Sequence, residues 1–160
     1  MPNIHNKQFT EETQLKLEIF KGYIREWIPV FLTSSERNSR KVVNIFDFFA
    51  GPGQDINGND GSPIMILREL ISFFKTHSSL IDKNIIINIH FNDKKQSNIK
   101  RLKHLLDDKY NEALKGINVF YSTAEFLTIF KEKLDFINDQ NSANLIILDQ
   151  YGVKQVTPNI

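Results

Sequence analysis

The glycine-containing run at residues 46–53, FDFFAGPG, constrains the fold of this chain more than any other segment. Residues 42–49 are a nearly continuous apolar, β-branched and aromatic stretch, typical of a strand covered on both faces of a parallel sheet. A buried helical turn is the alternative, but four of the chain's seven glycines fall within residues 51–61 and indicate a long loop with unusual backbone angles. We therefore interpret FDFFAGPG as the turn after the first strand of a nucleotide-type α/β fold.

The rest of the chain alternates helical and strand patterns around this turn. Apolar residues at three- and four-residue spacing predict a leading amphipathic helix, with Thr10 as its N-cap and Pro29 kinking or shortening its last turn. Ser62 as N-cap and Pro63 at the first position open the next predicted helix. Helices are predicted from Thr10 onward and over residues 62–76, 98–114 and 125–137, and strands over 42–49, 84–91, 117–121 and 143–148.

This order, a helix followed by β-α-β-α-β-α-β, predicts a parallel sheet with helices on both faces and right-handed crossovers. We divide the chain into an N-terminal helix and connector at residues 1–41 and a Rossmann-like domain at 42–160. No signal-peptide-like apolar region and no run long enough to span a bilayer is present, which predicts a soluble cytoplasmic protein without a membrane partner.

Composition excludes several classes of site. The absence of cysteine excludes disulfides, thiolate metal sites and cysteine nucleophiles within the chain, and the four histidines stand too far apart to suggest a metal site. The serine-hydrolase pattern GxSxG and the P-loop pattern GxxxxGK are both missing. The net charge of +1 gives no global reason for nucleic-acid binding, and the basic residues at 94–103 are flanked by Asp93, Asp107 and Asp108. A solvated face explains them better than a nucleic-acid patch, which remains the unsupported alternative.

In folds of this kind, ligands bind beyond the carboxyl ends of the strands, where the strand order reverses. Asp47 and the glycines of AGPG suit a tight turn that a ligand approaches closely. No third glycine stands three residues after Gly53, so the turn departs from the dinucleotide fingerprint and favours a nucleoside ligand over NAD. A glycine-rich turn without a ligand is the alternative.

Three further loops carry candidate residues. Asp93 follows the second strand and could accept both hydroxyls of a ribose, or equally cap the next helix. Residues 122–125 could hydrogen-bond an adenine edge or supply a helix N-cap. Asp149 and Tyr151 follow the fourth strand, and a functional role is favoured there because an acid directly after an apolar strand is costly to bury.

Four segments, TQLKLEIFKGYIREWIPVF, FDFFAGPG, GSPIMILREL and LDQYG, occur in this order along most of the chain. In order and content they resemble the three-Cys-motif partner (TcmP) proteins, a bacterial family with a Rossmann-like methyltransferase fold. The resemblance implies an α/β fold with strand order 3-2-1-4, the front portion of a class I methyltransferase sheet. It also implies S-adenosylmethionine as the cofactor.

Transferred residue by residue, the class I methyltransferase pattern implies a place for each part of that cofactor. The turn would hold the methionine part, Asp93 the ribose and Thr123 the adenine edge. Asp149 would stand near the transferred methyl group, with Tyr151 as a second candidate catalytic residue. The cofactor-binding residues assigned to the turn are Asp47, Phe49, Ala50, Gly51 and Gly53.

The chain departs from the family pattern in three ways. Gln150 replaces the proline expected after the acid, Thr123 replaces the usual adenine-binding acid, and the chain stops one short loop after the fourth of seven expected strands. The fourth strand would be an apolar edge with unpaired backbone groups, so we expect a fragment of a longer protein or pairing of this edge with another chain.

Taken together, these residues predict an S-adenosylmethionine-binding, methyltransferase-like protein with an unknown methyl acceptor, and they leave open whether it is an enzyme. The alternative is a non-catalytic interaction module that retains the fold. The expected partners are another protein or a second copy of the chain at the exposed edge strand.

Overall fold

The structure is a computed structural model that describes residues 8–33 and 40–148. The four described strands form one parallel sheet in the order β3-β2-β1-β4. The predicted α/β class, the strand order and the leading helix are thereby confirmed. In chain order the elements are α1 (Glu11–Leu32), β1 (Val42–Asp47), α2 (Ser62–Thr76), β2 (Ile86–Asn92), α3 (Gln96–Lys109), β3 (Ile117–Ser122), α4 (Phe126–Asn138) and β4 (Ser142–Ile147).

The leading helix begins as its sequence predicts. The Thr10 hydroxyl accepts a hydrogen bond from the Thr13 N–H at 3.2 Å, and acidic residues occupy the first turn, where the helix dipole favours them. Pro29 does not shorten the helix, which continues to Leu32. Ile28 and Leu32 are buried in the core on either side of Pro29, so packing holds the last turn in place.

The two faces of the sheet bury different helices, because side chains alternate along each strand. On the first face, Ile45 and its neighbours in β2 and β4 pack in one apolar cluster with α1, α2 and α3. On the second face, Phe46 packs in another cluster with Phe126 and Ile129 of α4. Helices therefore cover both faces, as predicted, but α4 is the one described helix on the second face.

Several boundaries differ from the predicted ones. β1 ends at Asp47, and α3 ends at Lys109. The prediction that Ser62 caps α2 is wrong: Gly61 is the N-cap and Ser62 is the first helical residue. The Ser62 hydroxyl donates instead to the Asp47 carboxylate, a stronger acceptor than a neutral oxygen.

A row of four asparagines crosses the second face of the sheet, one on each strand and all in register. Each carboxamide N–H donates to the oxygen of the next, from Asn118 to Asn88 at 3.0 Å, to Asn44 at 2.9 Å and to Asn144 at 2.8 Å. Asn144 then donates to the Ile137 carbonyl of α4 at 3.0 Å. Asn44, the one buried member of the row, thus has hydrogen-bond partners on both sides.

Among the described helices, none is both long enough and apolar enough to cross a membrane.

Candidate functional site

The turn predicted as the binding element lies at the carboxyl end of β1, in the middle of the sheet. Asp47 is 1% exposed, and its Oδ1 accepts a hydrogen bond from the Phe49 N–H at 3.2 Å, which closes a tight turn. Its Oδ2 accepts the Ser62 hydroxyl at 2.6 Å. One carboxylate therefore joins the end of β1 to the first turn of α2.

Two glycines give this turn its shape. Gly51 has φ of 63° and Gly53 has φ of 87°, values in the left-handed region that residues with a Cβ rarely adopt. A Cβ on Gly53 would also lie 2.9 Å from Leu102 Cδ1 and 3.0 Å from Leu105 Cδ2. Gly53 is therefore required both for the backbone angle and because α3 packs directly against it.

Asp93 follows β2 and fastens the turn from the neighbouring strand. Its Oδ2 accepts the Gly51 N–H at 3.1 Å, so the structure brings together two of the predicted site residues. Its Oδ1 accepts the Lys95 N–H at 2.8 Å and the Asn98 side-chain amide at 3.1 Å. Lys95 is the N-cap residue of α3, so Asp93 fixes the start of that helix from just outside it.

Asn92, the last residue of β2, ties three strand ends together. Its side-chain N–H groups donate to the carbonyls of Phe48 at 3.1 Å and Ala124 at 3.0 Å. Its side-chain oxygen accepts the Ser122 hydroxyl at 2.9 Å and the Ala124 N–H at 3.1 Å. These bonds hold the segment that contains Thr123, whose side chain is exposed.

Ala50 completes the inner part of the turn. It is 5% exposed, and its N–H donates to the Asn92 carbonyl at 2.9 Å. Phe49 is half-buried and stacks on Phe126 with ring centroids 5.3 Å apart. Phe126 in turn contacts Phe48 edge-on at 5.6 Å. The turn is thus supported from below by an aromatic cluster on the second face.

The remainder of the glycine-rich loop is organised by Asp55, which is 4% exposed. Its Oδ1 accepts the backbone N–H groups of Asn57 at 2.8 Å and Asn59 at 2.9 Å, and its Oδ2 accepts the Phe9 N–H at 2.9 Å. Burial by itself would raise the pKa of Asp55, but hydrogen bonds from Asn59, Phe9 and Asn57 outweigh it and lower the pKa below its usual value. Asp55 therefore stays ionised and anchors the loop to the segment before α1.

An open groove of about 900 Å³ lies between α1 and α2 and borders this loop at Asp60. Its walls carry both signs of charge. Arg25 donates to Glu69 through two bonds of 3.0 Å, and Arg68 pairs with Asp60 at 2.9 Å. The lining holds four acidic and three basic side chains in all, so little net charge is left in the groove.

Asp149 and Tyr151, the two candidate catalytic residues, lie outside the described residues. Within the described ranges, no group of three or more histidine, aspartate or glutamate side chains could hold a metal ion. Sequence reasoning did not identify Asn98 or the structural roles of Asn92 and Ser62. A signal was available for Asn92, because a polar side chain that ends a buried strand must find hydrogen-bond partners.

Comparison with known protein families, with curated proteins and with solved structures gives no match for this chain.

Proposed function

We propose that this chain binds S-adenosylmethionine as a methyltransferase-like module. The observation that carries the proposal is the turn at the end of β1, where the left-handed Gly51 and Gly53 stand beside the carboxylate that follows β2. In parallel α/β sheets, adenosine-containing ligands bind at this position, outside the carboxyl ends of the central strands. The resemblance of FDFFAGPG and GSPIMILREL to the TcmP proteins supports the choice of cofactor.

The residues present fit such a ligand. Asp93 Oδ2 accepts one described hydrogen bond, from Gly51, and a carboxylate oxygen has two lone pairs, so it retains capacity for a ribose hydroxyl. The exposed hydroxyl of Thr123 can accept from an adenine amine. Asp47, Phe49 and the backbone of the turn then serve the methionine part.

The cofactor, when bound, supplies an electrophilic methyl group on a positively charged sulfur. The chain's own contribution is positioning: Asp47 and Asp93 fix the turn, and Asn92 fixes the loop that carries Thr123. We assign Asp149 and Tyr151 to the acceptor side of the site, with proton removal as the role of the carboxylate.

Calorimetry with S-adenosylhomocysteine tests the proposal on the purified chain. Saturable one-to-one heat is expected, and Thr123→Arg should weaken binding at least tenfold because a large side chain would fill the adenine position. Thr128→Arg is the matched control, since Thr128 is also exposed but lies on α4, and the affinity of this variant should equal that of the parent.

A sample that is folded by circular dichroism yet gives neither heat nor a shift in melting temperature with S-adenosylhomocysteine would refute cofactor binding. Heat with NAD or ATP, but not with S-adenosylhomocysteine, would assign a different adenosine ligand to the turn.

A non-catalytic interaction module is the second candidate, and one observation favours it. The carboxylates of Asp47 and Asp93 are both buried and already accept hydrogen bonds from the chain itself. The turn is therefore stable without a ligand. This candidate predicts a folded chain that is silent in the same calorimetry.

A further inference from the structure

The edge strand β3 lacks the features that normally keep a sheet edge from pairing. Its sequence, INVFYS, contains no charged residue and no proline, and its register with β2 runs without a bulge from Ile117 to Ser122. Edge strands in monomeric proteins are usually protected by lysine, proline or bulges. Within the described ranges, no other strand pairs with the outer side of β3.

Two rows of side chains on the second face also end at this strand. The asparagine row ends at Asn118, which is exposed and donates inward to Asn88. Beside it, the rings of Phe46, His90 and Phe120 stack with centroids 4.6 and 4.8 Å apart. A strand added at this edge would cover the outer sides of Asn118 and Phe120, the last members of the two rows.

The end of the aromatic row is partly uncovered. Phe120 is 48% exposed, and Ile86 on β2 and Phe136 on α4 are exposed to a similar degree on the same face. His90, which lies between Phe46 and Phe120, is 7% exposed and has both ring nitrogens buried without a hydrogen-bond partner. Its neutral ring is thus protected by Phe120, whose outer side still faces solvent.

We propose that two copies of this chain pair their β3 strands antiparallel about Val119 to form a continuous eight-stranded sheet. A twofold axis between two copies of an edge strand requires the antiparallel arrangement and closes the assembly at two copies. In this register Val119 faces its own copy, Ile117 faces Tyr121, and Asn118 faces Phe120. Apolar, β-branched and aromatic side chains therefore meet on the first face, where such cross-strand pairs stabilise a sheet.

The charges at the two ends of β3 agree with this orientation. Lys115 precedes the strand and Glu125 follows it. Lys115 pairs with Glu112 of its own chain at 2.7 Å, and its side chain stays exposed. Antiparallel pairing about Val119 places Lys115 opposite residue 123 of the other copy, two residues from Glu125, whereas parallel pairing would place like residues together. The uncharged apolar side chains of β3 and the opposite charges near its two ends suit pairing with a second copy, which is why we choose it as the partner.

Cross-linking tests the register directly, because the chain contains no cysteine. Facing residues of antiparallel strands have Cα atoms about 4.5–5.5 Å apart, within the range that a disulfide spans. Val119→Cys should therefore give a covalent dimer under mild oxidation. Ile146→Cys on the opposite edge strand and Thr128→Cys on α4 should give little.

Sedimentation measures the association itself. The parent chain should be a dimer, and Phe120→Lys should raise the dissociation constant at least tenfold, because it adds a charge to the edge. Ile86→Lys is the matched control: it places the same charge at a similarly exposed apolar site, but on β2, and should remain dimeric. Circular dichroism confirms that both variants fold.

Three results would overturn the proposal: a monomeric parent chain at high concentration, cross-linking through Ile146→Cys in place of Val119→Cys, or equal effects of Phe120→Lys and Ile86→Lys. Open-ended growth would also contradict it, since pairing of β3 with β4 of the next copy makes filaments and not dimers.

Discussion

Replacement of Gly53 by alanine should destabilise the protein in two separable ways. The first cost is backbone strain, because an L-residue held at φ of 87° loses about 1–2 kcal/mol. The second is overpacking, because the new Cβ would lie 2.9 Å from Leu102 Cδ1 and 3.0 Å from Leu105 Cδ2. Leu102 is fully buried and cannot move aside freely, so this contact should cost a further 1–3 kcal/mol, roughly. We expect a total loss of about 2–5 kcal/mol in the free energy of unfolding.

Gly58→Ala isolates the first cost. Gly58 has a similar φ of 80°, but a Cβ there would meet nothing within 4 Å. Its loss should be about 1–2 kcal/mol, and the effect of alanine on the unfolded chain is common to both variants. Urea unfolding of the two variants gives the difference. The double variant Gly53→Ala, Leu105→Ala removes one of the two side chains that the new Cβ would press on. Its loss in the free energy of unfolding should therefore be smaller than the sum of the losses in the two single variants, which is a favourable coupling energy.

Equal losses for Gly53→Ala and Gly58→Ala would refute this reasoning. They would mean that α3 does not press on the turn, and the close approach between the turn and the leucines of α3 would have to be abandoned. The absence of coupling in the double variant would lead to the same conclusion.

Two further predictions concern the second face of the sheet. Asn44→Val removes the middle of the asparagine row and leaves a donor on Asn88 and an acceptor on Asn144, both partly buried, without partners. Urea unfolding should therefore show a loss of about 1–3 kcal/mol. Asn118→Val, at the exposed end, should cost less than about 1 kcal/mol. Burial, with a smaller effect of Lys133, lowers the pKa of His90 from 6.5 to about 4. Between pH 6.5 and pH 4, His90 is therefore protonated in the unfolded chain but neutral in the folded protein. The free energy of unfolding should therefore fall by up to about 3 kcal/mol as the pH drops from 6.5 towards 4. His90→Phe should remove this part of the pH dependence. An unchanged dependence of stability on pH in this variant would show that other groups cause the fall.

The fold could be predicted from the sequence because the spacing of apolar residues indicates which side of each helix or strand is buried. Apolar runs of strand length alternating with helical stripes predicted the element order, and the order predicted a parallel sheet with crossovers. Boundaries were less accurate, since they depend on partners that are distant in sequence. Ser62 shows why: local pattern makes it a helix cap, but the Asp47 carboxylate, fifteen residues away, takes its hydroxyl.

The position of the candidate site was accessible in part. The sequence predicted that the turn and Asp93 both follow strands at the same edge of the sheet, but it did not predict that Asp93 Oδ2 accepts the Gly51 N–H. The asparagine row could not be predicted, because each asparagine reads as an isolated polar residue in its own strand. Only the register, which aligns Asn44 with Asn88 and Asn144, makes them neighbours.

The structural role of the Asp47 and Asp93 carboxylates limits which variants can test ligand binding. Asp47 and Asp93 hold the turn in shape, so replacing either removes an anchor of the turn together with any contact to a ligand. Loss of binding in such a variant would have two explanations. Thr123 is exposed, and its neighbours are held by Asn92 independently of its side chain, so its replacement leaves the turn intact. A change in affinity at Thr123 with unchanged stability therefore reports a ligand contact, and the function of the turn is best tested from that neighbouring loop.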